Sequence, residues 1–124
     1  MSPLSRDSER SAVAIQEESP IICLCGSTRF KEVFEQENRR LTLAGYIVLS
    51  AGVFPNAEAN ASDEIDDDQK RALDELHLEK IRLSDEVRVL NVGGYMGDST
   101  RAEIGYASKL GIPCSYYETT GGST

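Results

Sequence analysis

Short apolar runs that stop at turn residues alternate along this chain with segments of helical period, and that alternation limits the possible folds more than any other feature. Ile21-Ile22-Cys23-Leu24-Cys25 is an unbroken apolar run ending at Gly26, the pattern of a strand buried on both faces. Phe30, Val33, Phe34, Glu37, Leu41 and Ala44 then fall at i, i+3, i+4 and i+7 spacing, which predicts a helix. Ser27 or Thr28 can cap its start and Gly45 can close its end. Tyr46-Ile47-Val48-Leu49 reads as a second strand. The stretch from Ser50 to Asp68 is long, acidic and aperiodic, and loops of that length in compact domains are functional lids or disordered. Helical spacing returns with Leu73, Leu76, Lys80 and Ile81, Val87 to Val92 forms a third strand, and Gly93 to Asp98 a loop. Ser99 to Leu110 is a third helix stopped by Gly111, and Pro113 to Tyr117 a fourth strand. Two junctions, Leu43-Ala44-Gly45-Tyr46 and Lys109-Leu110-Gly111-Ile112, share one grammar: a helix ended by glycine and followed at once by a strand.

The order β-α-β-α-β-α-β predicts an α/β domain, flavodoxin-like or Rossmann-like, with a parallel sheet of four to five strands and right-handed crossovers. At 124 residues the chain fits one such domain. We assign it to residues 19–118, between an N-terminal arm (1–18) rich in Ser, Glu and Arg and a loose tail (119–124). The net charge of −8 argues against a nonspecific grip on nucleic acid or on an anionic membrane, since phosphate backbones reward lysine and arginine. It leaves open a small anionic ligand, which needs only local donors. No apolar stretch is long enough for a signal peptide or a membrane span, so the expected compartment is the cytoplasm. Cys23, Cys25 and Cys114 lack the C-x-x-C spacing of a zinc or redox pair and read as buried, reduced thiols. No metal and no cofactor is expected.

Doubly wound sheets bind ligands beyond the carboxyl ends of their strands, where the strand order reverses. For the order 2-1-3-4 that point lies between the first and third strands. The first runs into Gly26-Ser27-Thr28-Arg29, and the third into Gly93-Gly94-Tyr95-Met96-Gly97-Asp98-Ser99-Thr100-Arg101. Two helix starts would aim free amides at one crevice, with hydroxyls and an arginine beside them, a setting for phosphate or carboxylate. Glu103 lies above this point on the first turn of the third helix and has two readings. One is structural, a Thr100-x-x-Glu103 capping box with Asp98 and Ser99 as rival caps; the other is a reactive carboxylate. Asp85, before the third strand, reads locally as a turn residue. His77, the sole histidine, shares a helix face with Leu73 and Ile81 and reads as a packed, hydrogen-bonded side chain. Tyr95 is an exposed loop aromatic or a wall against a base. The acidic run Asp63-Glu64 and Asp66-Asp67-Asp68 favours the start of the following helix and lacks the glycine and spacing of a calcium loop.

Ser84-Asp85-Glu86-Val87-Arg88-Val89-Leu90 followed by Gly97-Asp98-Ser99-Thr100-Arg101-Ala102-Glu103-Ile104-Gly105-Tyr106-Ala107 resembles the nucleoside 2-deoxyribosyltransferase family and its relatives that hydrolyse nucleoside monophosphates. The likeness runs from about Ile21 to Glu118. It implies that Glu103 is a nucleophile toward the sugar and that Ser27 and Arg29, in a Gly-Ser-x-Arg turn, hold a 5′-phosphate. Gly26, Thr28, Tyr95, Gly97, Ser99 and Thr100 would line the same site, and Asp85 and His77 would assist. His77 stands where characterised members carry an aspartate on the second helix, a departure that fits either altered chemistry or a nucleotide- or ADP-ribose-sensing module without catalysis. The first loop lacks the aromatic residue of the transferases that act on unphosphorylated nucleosides, which favours a phosphorylated substrate. The resemblance also implies a homodimer or higher homo-oligomer. A cytokinin-activating phosphoribohydrolase likewise leads a glycine-rich loop into a helical glutamate, but its Pro-Gly-Gly-x-Gly-Thr stretch is missing here.

Overall fold

In the computed structural model, the described residues are 18–54 and 65–119. All but the last residue of the expected arm (1–18), most of the tail (119–124), and residues 55–64 of the long acidic segment, Asp63-Glu64 among them, lie outside them. Among the described residues four strands, β1 (Ile21–Cys25), β2 (Ile47–Leu49), β3 (Glu86–Val89) and β4 (Cys114–Tyr116), alternate with three helices, α1 (Lys31–Leu43), α2 (Asp67–Arg82) and α3 (Asp98–Lys109). The sheet is parallel throughout, in the order β2-β1-β3-β4. The chain is thus an α/β domain of the Rossmann-like, flavodoxin-like kind, and the direction of strand addition reverses at β1, between β2 and β3.

Alternation along the central strands divides the core in two. Ile22 and Leu24 pack with Phe34 and Leu41 of α1 and with Leu90. Cys23, Cys25, Val87 and Val89 face the other way, against Ile81 of α2 and Ala107 of α3. Phe34 is almost fully buried and meets Phe54 edge to face, the ring centroids 5.2 Å apart. This layer also holds a buried acid. Glu37, only 6% exposed, accepts from Arg40 Nη2 at 2.9 Å and Nε at 3.1 Å, and from Arg88 Nε at 3.0 Å. The Arg40 bond, with further help from Arg88, outweighs burial and holds the Glu37 carboxyl below its ordinary value.

Helix ends follow the local chemistry. Asp66 caps α2 by accepting from Gln69 N at 2.7 Å, while Gln69 Oε1 accepts from Asp66 N at 3.0 Å, a reciprocal capping box. Asp67 and Asp68 sit in the first turn, where the helix dipole favours them. Both helix-to-strand junctions noted in the sequence close alike. Gly45 (φ 103°) and Gly111 (φ 74°) take the left-handed conformation. The next residue's amide reaches back into the last turn, Tyr46 N to Leu41 O at 3.0 Å and Ile112 N to Ala107 O at 2.9 Å.

β3 leaves the ladder sooner than the apolar run to Val92 suggested. Leu90 N still donates to Cys25 O at 2.8 Å, but the fully buried Asn91 turns its side chain to the backbone of Glu118. Asn91 Nδ2 donates to Glu118 O and Oδ1 accepts from Glu118 N, both at 2.9 Å. Val92–Gly94 then forms a single 3-10 turn. The side chain of Asn91 therefore fixes where the loop after β3 begins.

Candidate active site

β1 ends at Cys25, and Gly26 follows without slack. A side chain at Gly26 would put its Cβ 3.1 Å from Leu90 O and 3.2 Å from Leu90 Cβ, so the ends of β1 and β3 can meet this closely only with glycine. Ser27 then caps a 3-10 turn of Thr28–Phe30, its Oγ accepting from Arg29 N at 3.3 Å. α1 begins after that turn at Lys31, with no side-chain cap of its own.

The loops after β1 and β3 come together at the reversal point. Arg29 Nη2 donates to Tyr95 Oη at 3.3 Å, and its guanidinium carbon lies 4.4 Å from the centre of the Tyr95 ring. Phe30 meets the same ring edge on at 6.1 Å. Tyr95 is 42% exposed, a partly open aromatic wall. An open hollow of about 430 Å³ beside Arg29 is lined by Arg29, Phe30, Lys31, Glu32 and Val33, and reaches neither Glu103 nor His77.

Helix α3 starts earlier than the capping-box reading of Glu103 requires. Gly97 is its N-cap and supplies no side-chain cap bond, which puts Asp98, Ser99 and Thr100 in the first turn. Thr100 is therefore inside the helix, where it is buried, and Glu103 lies in the second turn rather than the first. A Thr100–Glu103 box is ruled out by position, and neither Asp98 nor Ser99 serves as the cap. The first-turn amides face outward without a capping side chain. Asp98 adds a negative charge there, which opposes an anion at this helix start.

Beneath these loops, on the face shared by α2 and α3, four ionisable side chains meet. Cys23 and Cys25 stand two apart on β1 and so point the same way. His77 Nε2 comes from α2 to 3.6 Å from Cys23 Sγ, 3.5 Å from Cys25 Sγ and 3.0 Å from Leu24 O. Because a carbonyl only accepts, the last contact places a proton on Nε2. Glu103, on α3, is close enough to Cys25 for the two groups to shift each other's ionisation.

These groups set one another's ionisation. The Cys25 thiol, by hydrogen-bonding to Cys23, lowers Cys23 to about 5 against the opposing effect of burial, with His77 adding to the fall. The same bond, with burial and the charges of Cys23 and Glu103, pushes Cys25 well above its ordinary value. Burial pulls His77 down, but the bond and charge of Cys23, together with Glu103, outweigh it and leave the imidazole above its usual value. Burial raises Glu103, and the charge of His77 and the Cys25 bond restrain that rise. His77 therefore acts on Glu103 as a nearby positive charge that favours its ionised form.

Asp85 is not part of this group. Its Oδ2 accepts from Ile21 N at 2.8 Å, and its own amide donates to Ile21 O at 2.7 Å. Ile21 opens β1, so Asp85 ties the amino-terminal edge of the sheet, roughly 16 Å along the strand from Gly26. The catalytic expectation for Asp85 is corrected on that ground: in a parallel sheet, residues before a strand and residues after one lie at opposite edges.

Sequence reading passed over Asp74, one turn before His77 on α2. Its charge raises Glu103 further, and Lys70 Nζ holds it at 3.0 Å. Its place could have been found from the i, i+3 spacing to His77. The thiol pair was also undervalued. Cys23 and Cys25 are buried and unbridged, whereas Cys114, expected to be buried, is only partly so; spacing of two on a strand is itself a way of putting two thiols together. No protein-family model matches the chain and no curated protein matches it, so the family resemblance rests on the motif residues alone.

Proposed function

We propose that this chain binds a nucleoside 5′-monophosphate, or a nucleoside, over the carboxyl ends of β1 and β3 and cleaves or transfers across its N-glycosidic bond. The observation that carries this reading is the half-buried Glu103 carboxyl, which lies close enough to Cys25, the residue immediately before the Gly26 turn, for the two groups to shift each other's ionisation. Cys25 is itself one residue before a turn bearing a hydroxyl and an arginine. In this reading Arg29, Ser27 and the turn amides hold the phosphate, and Tyr95 stacks on the base.

Departure of the base leaves an oxocarbenium-like sugar, which a carboxylate beneath C1′ stabilises. Glu103 attacks C1′ as the C1′–N bond breaks, the bonding electrons leaving with the base, which takes a proton from water. A water molecule, or a second base, then attacks C1′ and frees Glu103. The resolving water gives up its proton to solvent as its oxygen bonds C1′ and the C1′–Glu103 bond breaks. The charge of His77 keeps Glu103 ionised against its burial, so His77 is a positioning residue. A second copy of the chain closes the open side of the site, and the free thiols fit a reducing compartment such as the cytoplasm.

One observation favours a binding module that does no chemistry: the open hollow beside Arg29 does not extend to Glu103. The two readings part in one assay. Wild-type protein, Glu103→Gln and Arg29→Ala are incubated with a panel of nucleosides and their 5′-monophosphates, and free base is followed. Catalysis requires base release that falls about a thousand-fold or more in Glu103→Gln, and about ten-fold in kcat/KM for monophosphates alone in Arg29→Ala. Thermal stabilisation by the monophosphates without any turnover establishes the binding module instead.

A further inference from the structure

We propose that Cys23, Cys25 and His77 form a site for one zinc-class divalent ion, held by two thiolates and an imidazole with a water in the fourth position. The spacing of the donors is the first support. An ion about 2.3 Å from sulfur and about 2.0 Å from nitrogen, at tetrahedral angles, sets the sulfur–nitrogen edges at about 3.6 Å. His77 Nε2 lies 3.6 and 3.5 Å from the two sulfurs. All three donor atoms lie within 4.8 Å of one another. The sulfur–sulfur edge of such a tetrahedron is about 3.8 Å, which side-chain rotation at the two cysteines can supply.

The scaffold is the second support. Cys23 pairs with Leu49 on one side and Val87 on the other, and Cys25 pairs with Val89, so the backbone that presents the thiols is fixed by the sheet. Charge is the third. Two thiolates and a neutral imidazole cancel a 2+ ion, giving a net charge of zero where both cysteines are 0% exposed. The donor set is soft and selects zinc over magnesium or calcium.

Binding conserves charge through proton loss. Whether the metal-free cluster holds two thiols and a neutral imidazole, or a thiolate, a thiol and an imidazolium, reaching two thiolates and a neutral imidazole releases two protons per ion. The Nε2 proton that now bonds Leu24 O is given up, and the remaining ring proton sits on Nδ1.

The proposal does not rest on the glycosidic reading, although both use His77: with the metal bound its imidazole is neutral and the positive charge beside Glu103 is the ion's. It is tested without substrate. The reduced full chain, both as purified and after refolding with metal present because the thiols are buried, is titrated with Co²⁺. The expected result is one equivalent bound, with a thiolate-to-cobalt charge-transfer band and the strong visible bands of tetrahedral cobalt. Zn²⁺ displaces it, Mg²⁺ and Ca²⁺ do not, and calorimetry in buffers of different ionisation enthalpy counts two protons released. Affinity falls about 100-fold or more in Cys23→Ser, Cys25→Ser and His77→Ala, and is unchanged in Cys114→Ser. X-ray absorption on the zinc-loaded wild type, which needs no variant to fold, shows two sulfur ligands. A sulfur-free ligand shell, no charge-transfer band, or binding indifferent to both Cys23→Ser and Cys25→Ser overturns the proposal.

Discussion

The two faces of the sheet each bury ionisable groups and handle them in opposite ways. On the α1 face, Glu37 meets Arg40 and Arg88, and Arg88 in turn donates to Ser115 Oγ at 3.3 Å. Every charge there has a counter-charge, the Glu37 carboxyl is driven toward ionisation, and nothing in the network is poised to exchange a proton. On the α2–α3 face, Cys23, Cys25, His77 and Glu103 share too few fixed charges to settle one protonation state, and each moves the ionisation of the others. A closed ion network stabilises, whereas a cluster of mutually perturbed acids and bases is what reactive and metal-binding sites are made from. Both faces belong to the same sheet, so the difference comes from side chains and not from architecture.

Three substitutions break or sharpen this contrast. Phe34→Ala empties the centre of the α1 face and should lower unfolding free energy by about 3–5 kcal/mol in urea titration, without changing activity per folded molecule. Glu37→Gln leaves Arg88 without its carboxylate and should cost about 2 kcal/mol at neutral pH. Because Glu37 sits below its ordinary 4.5 in the folded protein, its contribution is complete above the unfolded value. That contribution disappears as pH falls through the lower folded value, so wild type and Glu37→Gln should converge in acid. A constant gap at all pH values would show that packing, not charge, explains the loss. Glu103→Gln should be the mildest for stability, because burial opposes the ionised carboxylate it removes. Its melting temperature should match or exceed that of the wild type, while any base-releasing activity disappears. A large loss of stability would move Glu103 into the structural class with Glu37.

What the sequence made legible is what depends on neighbours along the chain. The β1 run, the two glycine-closed helix ends and the acids at the start of α2 are each written within a few residues, and the alternation they mark gives the α/β class. The order 2-1-3-4 entered as the flavodoxin-like arrangement of that alternation, and the sheet has it. The site was less legible because its contacts are distant. His77 meets Cys23 across 54 positions and Arg88 meets Glu37 across 51, so neither pairing leaves a local pattern. Glu37 appeared only as a polar member of an apolar helix stripe. Asp85 shows a different failure: it stands in a stretch read as resembling a family, but its place before β3 puts it at the other edge of the sheet from the Gly26 turn.

The central claim is that one nucleotide would touch the Gly26 turn and Glu103 together. Amide chemical-shift mapping of the full chain during titration with a nucleoside 5′-monophosphate tests it most directly. The account expects shifts that saturate with a single affinity in Gly26–Phe30, at Tyr95 and from Gly97 to Glu103, with Glu37 and Asp85 unmoved. Shifts confined to Arg29–Val33 with Glu103 and its neighbours unaffected, or no saturable shifts at all, would contradict it.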